Sequence, residues 1–460
     1  MKNILFVLTD DQRYNCLRAA GNPDIITPNL DRLAENGTLF TQAHIPCGTS
    51  GAVCMPSRAM LHTGRTLFHI QGEGQDIPGE HITMGECFRN AGYETFGTGK
   101  WHNGTPAYSR SFSCGENAFF GGMWDHWNVP VCRYDPTGEY DNIINFVMNF
   151  YGGNDVTKIH CDKFNPGIHS TELLTNTAVD WLGKRSSGEK PFFLYLAYLA
   201  PHDPRTMPER FLKMYDPAKI ALPDNFMENH PFPFGVEHIR DEVLMRYPRD
   251  RNETKRHLAE YYAMVTHLDY EFGRIIETLE KTGQLNDTII VFTGDNGLAV
   301  GSHGLMGKQN VYDHSVRVPL IMSGPGIPRG SRRDGYVYLL DIFPTLAELC
   351  GIKAPSSVEG KSFAGMFTDS AYRTRETLYF AYCDLIRGVK DSGFKLIEYR
   401  RHANATQLFN LAENPGETVN LADNPGYASI LENLRRLMFQ YRDEWEDSGH
   451  RHTGAFWDAY

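Results

Sequence analysis

The chain holds 460 residues, 41% of them hydrophobic and 22% charged, with a formal net charge of −11. Its acidic balance excludes nucleic acid and anionic membrane surfaces as partners, since both would repel it. The length exceeds what one simple core holds and predicts a large domain over residues 1–373 with a smaller one over 374–460.

Residues 4–8 form the first apolar run. It is too short for the core of a secretion signal and ends in Asp10 and Asp11, so it predicts a buried strand. No later run reaches transmembrane length, and nine scattered cysteines make no disulfide framework. A cytoplasmic location is expected, or a periplasmic or secreted one if an export signal has been removed. Helices are expected at 29–36, 56–62 and 84–91, a strand at 94–97, a helix at 171–184 and a strand at 192–199. A long helix follows over 253–282, ended by Gly283. Its stripe of Leu258, Tyr261, Tyr262, Val265, Leu268, Phe272 and Ile275 is spaced for core packing. Strands at 288–293 and 319–322 and a helix at 341–349 complete the alternation of an α/β fold with a mostly parallel sheet.

Two stretches break this pattern: 109–167, around Trp124-Asp-His-Trp127, and 201–251. Insertions of that length in a compact domain are expected to be functional loops or lids. Past residue 374, short strands at 378–382, 386–389, 395–399 and 407–410 precede a helix at 430–445, which predicts a small antiparallel sheet carrying one helix.

The motif richest in chemistry is Cys54-Met-Pro-Ser-Arg58, continuing to Thr63-Gly-Arg65. Pro56 suits a first helical turn, which sets Cys54 beside free N–H groups and the positive dipole end. Arg58 adds a cation able to fork onto tetrahedral oxygens. Asp10 and Asp11 close one predicted strand; Asp295 and Asn296, in Thr293-Gly-Asp-Asn-Gly297, close another. Ligands of open α/β sheets gather at the carboxyl ends of strands, so the two pairs can converge. Their all-oxygen set suits Ca²⁺ or Mg²⁺ rather than zinc. Lys100 and His102 would face the same side if the strand stays extended. His202, in Ala200-Pro-His202, follows another strand end, and Lys308 closes His303-Gly-Leu-Met-Gly-Lys308. His303 and Asp313 are lesser candidates for lining the pocket, and His169 either joins it or starts a helix. Singly, these residues have plainer readings as a buried thiol, a capping aspartate or a solvated lysine. Together they surround one oxyanion with Arg58, Lys100, His102, His202, Lys308 and a metal.

The run C-x-P-S-R closed by T-G-R resembles the signature of the type I sulfatases. The likeness extends to Gly99-Lys-Trp-His102 and Ala200-Pro-His202, and runs from Met1 to about the last helix. It implies an alkaline phosphatase-like α/β/α sandwich with a small C-terminal α+β subdomain. It implies that a maturation enzyme oxidises Cys54 to formylglycine (3-oxoalanine), whose hydrated aldehyde attacks sulfur. Asp10, Asp11, Asp295, Asn296 and the oxygen at position 54 would hold calcium, with magnesium the alternative; many members carry His where Asn296 stands. Lys100 and Lys308 would bind sulfate oxygens, His102 would contact the nucleophile, and His202 would protonate the leaving oxygen. The expected substrate is a carbohydrate sulfate monoester, with Trp101, Trp124 and Trp127 as candidate stacking surfaces. One rival is a phosphonate monoester or phosphodiester hydrolase, which shares fold, metal and motif. The other is a non-catalytic binder of sulfated glycans, against which the full set of acid, base and cations argues.

Overall fold

The computed structural model describes residues 1–147, 153–185 and 188–460. Its centre is an eight-stranded sheet in the order Ser331–Arg333, Gly37–Phe40, Leu320–Ser323, Thr288–Gly294, Asn3–Thr9, Phe192–Ala197, Glu94–Lys100 and Cys114–Phe119. Leu320–Ser323 runs antiparallel to both neighbours, and the other pairs are parallel. Asn3–Thr9 lies in the middle. Its side chains alternate between two cores: Ile4, Phe6 and Leu8 join Leu61 and Phe343, whereas Leu5 and Val7 join Leu174 and Leu268. A strand buried on both faces reads as an unbroken apolar run, which is why its sequence is so plain. Helices Cys54–Thr63, Met84–Asn90 and Ile342–Leu349 cover one face. Pro28–Glu35, Ser170–Gly183 and Arg251–Lys281 cover the other, giving the α/β/α sandwich.

The long helix begins at Asp250, whose carboxylate accepts from the N–H groups of Asn252 and Glu253 at 2.9 and 2.8 Å. Its apolar stripe is buried, as its spacing requires. The helix at Cys54 starts two residues earlier than Pro56 would suggest, and all ten of its residues are buried. Within 109–167, partly outside the described residues, the structure adds the edge strand Cys114–Phe119 and the ribbon Ile143–Val147 with Val156–His160. Cys-Gly-Glu-Asn-Ala-Phe has neither alternation nor β-branching, so its pairing with Glu94–Lys100, not its propensity, makes it a strand.

The C-terminal sheet orders Ala405–Asn410, Phe394–Tyr399, Ile386–Lys390 and Leu378–Tyr382 antiparallel. Cys47–Gly48 joins it as a fifth, parallel strand beside Leu378–Tyr382. Helix Ala428–Glu444 packs Leu434 and Met438 into the apolar cluster that also holds Leu61. Asp447 anchors this end of the molecule. Fully buried, it accepts from Arg387 Nη2 (2.8 Å), Trp457 Nε1 (2.9 Å) and the Tyr379 hydroxyl. Burial alone would raise its carboxyl, but Arg387 outweighs burial and holds it below the usual range. Asp447→Ala strands the Arg387 charge in the core, so chemical denaturation should show a loss of about 3–5 kcal/mol. In the parent, the stabilisation from this pair is present above pH about 4 and should fade as pH drops through the depressed native value.

Candidate active site

Four parallel strands deliver their carboxyl ends to one place. Asn3–Thr9 leads into Asp10 and Asp11, Thr288–Gly294 into Asp295 and Asn296, Glu94–Lys100 into Trp101 and His102, and Phe192–Ala197 into the turn carrying His202. Gly99 sits at a bulge in the strand, with φ +91°, and a Cβ there would collide with the Ala197 carbonyl. His102 has φ +70°. The chain is therefore not extended across Lys100-Trp-His, and the i, i+2 argument for a shared side does not hold. Both side chains still arrive: Lys100 Nζ and His102 Nδ1 each lie 3.5 Å from Cys54 Sγ. Trp101, between them, is fully buried and packs on His62 with ring centroids 4.2 Å apart. That removes it as a stacking surface for a sugar.

Cys54 is the first residue of its helix, with Pro56 in the first turn. The Ser57 hydroxyl donates to the Asp295 carbonyl, tying the helix to the strand end. Arg58 donates through Nε to Asp295 Oδ2 (2.8 Å) and through Nη1 to the Lys100 carbonyl (2.8 Å), and Nη2 lies 3.7 Å from Asp10 Oδ2. Lys100 pairs with Asp10. Lys308 Nζ (2.6 Å) and Asn296 Nδ2 (2.7 Å) both donate to Asp11 Oδ1. His202 Nε2 stands 3.6 Å from Asp11 Oδ2. Its Nδ1 is 2.8 Å from the Asp203 carbonyl, which can only accept, so Nδ1 carries the proton.

Burial raises Asp10, but Lys100, His202, Arg58 and Lys308 overcome it and hold the carboxyl well below the usual range. Asp295 goes the other way, raised by burial and by the Asp10 charge despite Arg58. Burial also pushes the Cys54 thiol up although Lys100 and Lys308 oppose it, and burial, Lys100 and Arg58 keep His102 neutral.

A hard cation fits this donor set. Asp10 Oδ1 and Asn296 Oδ1 are buried with no hydrogen-bond partner. Donor atoms of Asp10, Cys54 and Asp295 lie within 4.8 Å of one another, as do those of Asp10, Asp11 and His202. A divalent ion would also relieve the conflict between Asp10 and Asp295.

All the primary candidates thus gather here, and the lesser ones do not. The ring of His303 stacks on Tyr312 at 3.9 Å and its Nε2 meets the Glu417 carbonyl at 2.9 Å. Asp313 pairs with Lys390 and Lys395 beneath the C-terminal sheet. His169 accepts from the Thr171 N–H and starts a helix. Two supporting residues escaped sequence reasoning. Asn103, next to His102, donates to the carbonyls of Met55 (2.9 Å) and Gly74 (2.6 Å). His126 places Nε2 2.9 Å from the His202 carbonyl; its setting in Trp124-Asp-His-Trp127 was the only signal.

The Sulfatase family profile matches residues 2–352, and that of the N-sulphoglucosamine sulphohydrolase C-terminal region matches 301–444. A protein of Formosa agariphila named Sulfatase is 27% identical over 464 residues, covering 96% of this chain and 87% of its own. BT4656 in complex with its substrate D-glucosamine-2-N,6-O-disulfate superposes with a TM-score of 0.78 at 22% identity, over 98% of this chain and 99% of the other. The phosphonate monoester hydrolase of Agrobacterium radiobacter gives 0.76 at 21% identity, over 97% and 96%. At such identities the two superpositions show a shared fold. Asp295→Ala takes a carboxylate from the centre of the cluster and leaves Arg58 without its closest partner. Elemental analysis of the purified variant should show the divalent cation of the parent lost; full retention would remove Asp295 from the ligand set.

Proposed function

The chain belongs to the sulfatase family and is a sulfuric ester hydrolase, and we propose that it cleaves a carbohydrate sulfate monoester using formylglycine made from Cys54 and a bound calcium ion. The observation that carries this reading is the convergence of Lys100 Nζ and His102 Nδ1 on Cys54 Sγ at the head of a buried helix. The raised thiol supports it too, since an unmodified Cys54 would be a poor nucleophile there.

Asp10, Asp11, Asp295 and Asn296, with the oxygen at position 54, would hold the calcium, which supplies positive charge beside the nucleophile and the sulfate oxygens. Formylglycine at position 54 would supply a hydrated aldehyde, with one hydroxyl as nucleophile toward sulfur and a second whose deprotonation would release sulfate. The chain's own residues do the rest. Arg58, Lys100 and Lys308 face the equatorial oxygens, where the charge of a transferring sulfuryl group resides. The Asp203 carbonyl holds the Nδ1–H of His202, so that its doubly protonated form presents an Nε2 proton to the departing alcohol. Neutral His102, held against position 54, accepts the proton of the second hydroxyl. A formylglycine-generating enzyme is the implied maturation partner. The sugar assignment draws on BT4656, whose substrate is a sulfated glucosamine.

The fold is shared with a phosphonate monoester hydrolase, so substrate comparison decides between the two chemistries. Parent enzyme should turn over 4-nitrophenyl sulfate faster than the matching aryl phosphodiester; the reverse order would favour the phosphorus reading. Cys54→Ser, expressed where serine is not oxidised, can attack sulfur but lacks the second hydroxyl. Intact mass after incubation with substrate should show one retained sulfate on residue 54. Sustained turnover near the parent rate would sink the formylglycine mechanism. His202→Ala should cost about 10²–10⁴-fold in kcat/KM on a sugar sulfate, whose alkoxide needs a proton, and far less on 4-nitrophenyl sulfate. Equal losses would strip His202 of the acid role.

A further inference from the structure

Behind the turn that carries His202 lies a pair of histidines that the mechanism leaves unused. The rings of His126 and His169 stack with centroids 5.1 Å apart and planes 4° from parallel. Both residues are buried. Each gives one nitrogen to a carbonyl of the turn: His126 Nε2 lies 2.9 Å from the His202 oxygen, and His169 Nε2 lies 2.9 Å from that of Thr206. A carbonyl only accepts, so both Nε2 atoms carry protons. The Nδ1 atoms then accept, from the Ser170 hydroxyl at 2.7 Å and from the Thr171 N–H at 3.2 Å. Burial lowers both imidazoles, to about 4 and about 2, which keeps this neutral tautomer at physiological pH. The backbone behind the pair is tied as well: the Ser170 N–H donates to the His126 carbonyl at 2.7 Å, and the Gly167 N–H to that of Trp127 at 2.9 Å. From another side Arg240 holds the turn, pairing with the Asp203 carboxylate and, at 3.3 Å, with Asp241.

We propose that this stacked pair is a clamp that aims the proton donor, with His126 the positioning residue for His202. The inference rests on the sulfatase reading above. The His202 carbonyl belongs to the peptide between His202 and Asp203. The next carbonyl, that of Asp203, receives the Nδ1–H of His202 at 2.8 Å. Rotating the first peptide would swing the second carbonyl away from the imidazole. His126 opposes that rotation by holding the first carbonyl, while the His202 N–H is fixed to the Leu199 carbonyl at 3.1 Å. The imidazole is thus aimed by a relay: His126 orients a peptide, that peptide places the Asp203 carbonyl, and this carbonyl sets the plane of the ring. His169 supports the relay by stacking on His126 and by gripping the turn again at Thr206. Aim matters because a misplacement of about 1 Å at a reacting group can cost about a hundredfold in rate. A plain packing role predicts a loss shared by every substrate. A role exerted through His202 predicts a loss that follows the leaving group's need for a proton.

The test uses full-length enzyme carrying formylglycine at position 54, assayed on a sugar sulfate and on 4-nitrophenyl sulfate. His126→Phe keeps the ring volume and the stack but removes the donor to the His202 carbonyl. His126→Gln keeps an amide N–H where Nε2 stood. The phenylalanine variant should lose about a hundredfold on the sugar sulfate, mainly in kcat, and at least about tenfold less on 4-nitrophenyl sulfate. His126→Gln should recover most of that loss. In a His202→Ala background, His126→Phe should change turnover of the sugar sulfate by less than about twofold, because the group it aims is gone. Equal losses on both substrates, no recovery with glutamine, or a full further loss in the absence of His202 would each overturn the proposal and leave the pair as packing. Should His126→Phe fail to fold, Ser170→Ala removes only the hydroxyl that holds Nδ1. The same substrate-dependent loss is expected of it, and an equal loss on both substrates would overturn the proposal. If His202→Ala itself loses equally on both, the acid assignment falls and this inference with it; a parent inactive on every sulfate ester overturns the sulfatase reading as well.

Discussion

Everything at the centre of this molecule answers to one constraint: charges taken out of water must be matched within reach of one another. Asp10, Asp11, Arg58, Lys100 and Asp295 are each exposed by no more than 1%. Left alone, any of them would cost several kcal/mol. Arg58 touches Asp295, the Lys100 carbonyl and the neighbourhood of Asp10 at once, and so fixes how a helix, a loop and two strands meet. Asp10, Asp11 and Asp295 balance Arg58, Lys100 and Lys308. On the proposed reading the balance survives catalysis, because a divalent cation is answered by one sulfate ester and one ionised oxygen at position 54.

The fold makes that matching possible by geometry rather than by local preference. Parallel strands all point their carboxyl ends one way, so groups that are remote in sequence are delivered to one edge. The helix that presents Cys54 has no polar face, which suits an element enclosed between the central sheet and the C-terminal one. Its first turn is held by the Ser57 hydroxyl, and its last by Gly64, whose left-handed φ of +65° lets the N–H return to the Met60 carbonyl.

Much of this was legible in the chain because buried parallel strands and long amphipathic helices leave strong periodic traces. The strand ending in Asp10 and the stripe of the Arg251–Lys281 helix were read correctly for the right reasons. Lys100 and His102 were placed correctly for a wrong one, since a bulge at Gly99 and a left-handed His102 interrupt the extended run. Where backbone is irregular, the trace vanishes. Arg240 and Asp241 sit in a stretch without periodicity, and only tertiary contacts bring them to Asp203, the residue that follows His202. Trp101 illustrates the opposite error: an aromatic next to catalytic candidates looks like a ligand platform until its burial against His62 is seen.

The enclosure of Cys54 has a consequence for how the protein is made. The residue is 2% exposed, and seven positions earlier Cys47 pairs with Ala381 of the C-terminal sheet. On the formylglycine reading proposed above, a modifying enzyme would need this segment extended, and the pairing with Leu378–Tyr382 encloses it. Conversion of the thiol to an aldehyde would then belong to the interval before that strand docks, and whether a molecule becomes a catalyst or an inert copy would turn on a race between oxidation and the arrival of residues 378–382.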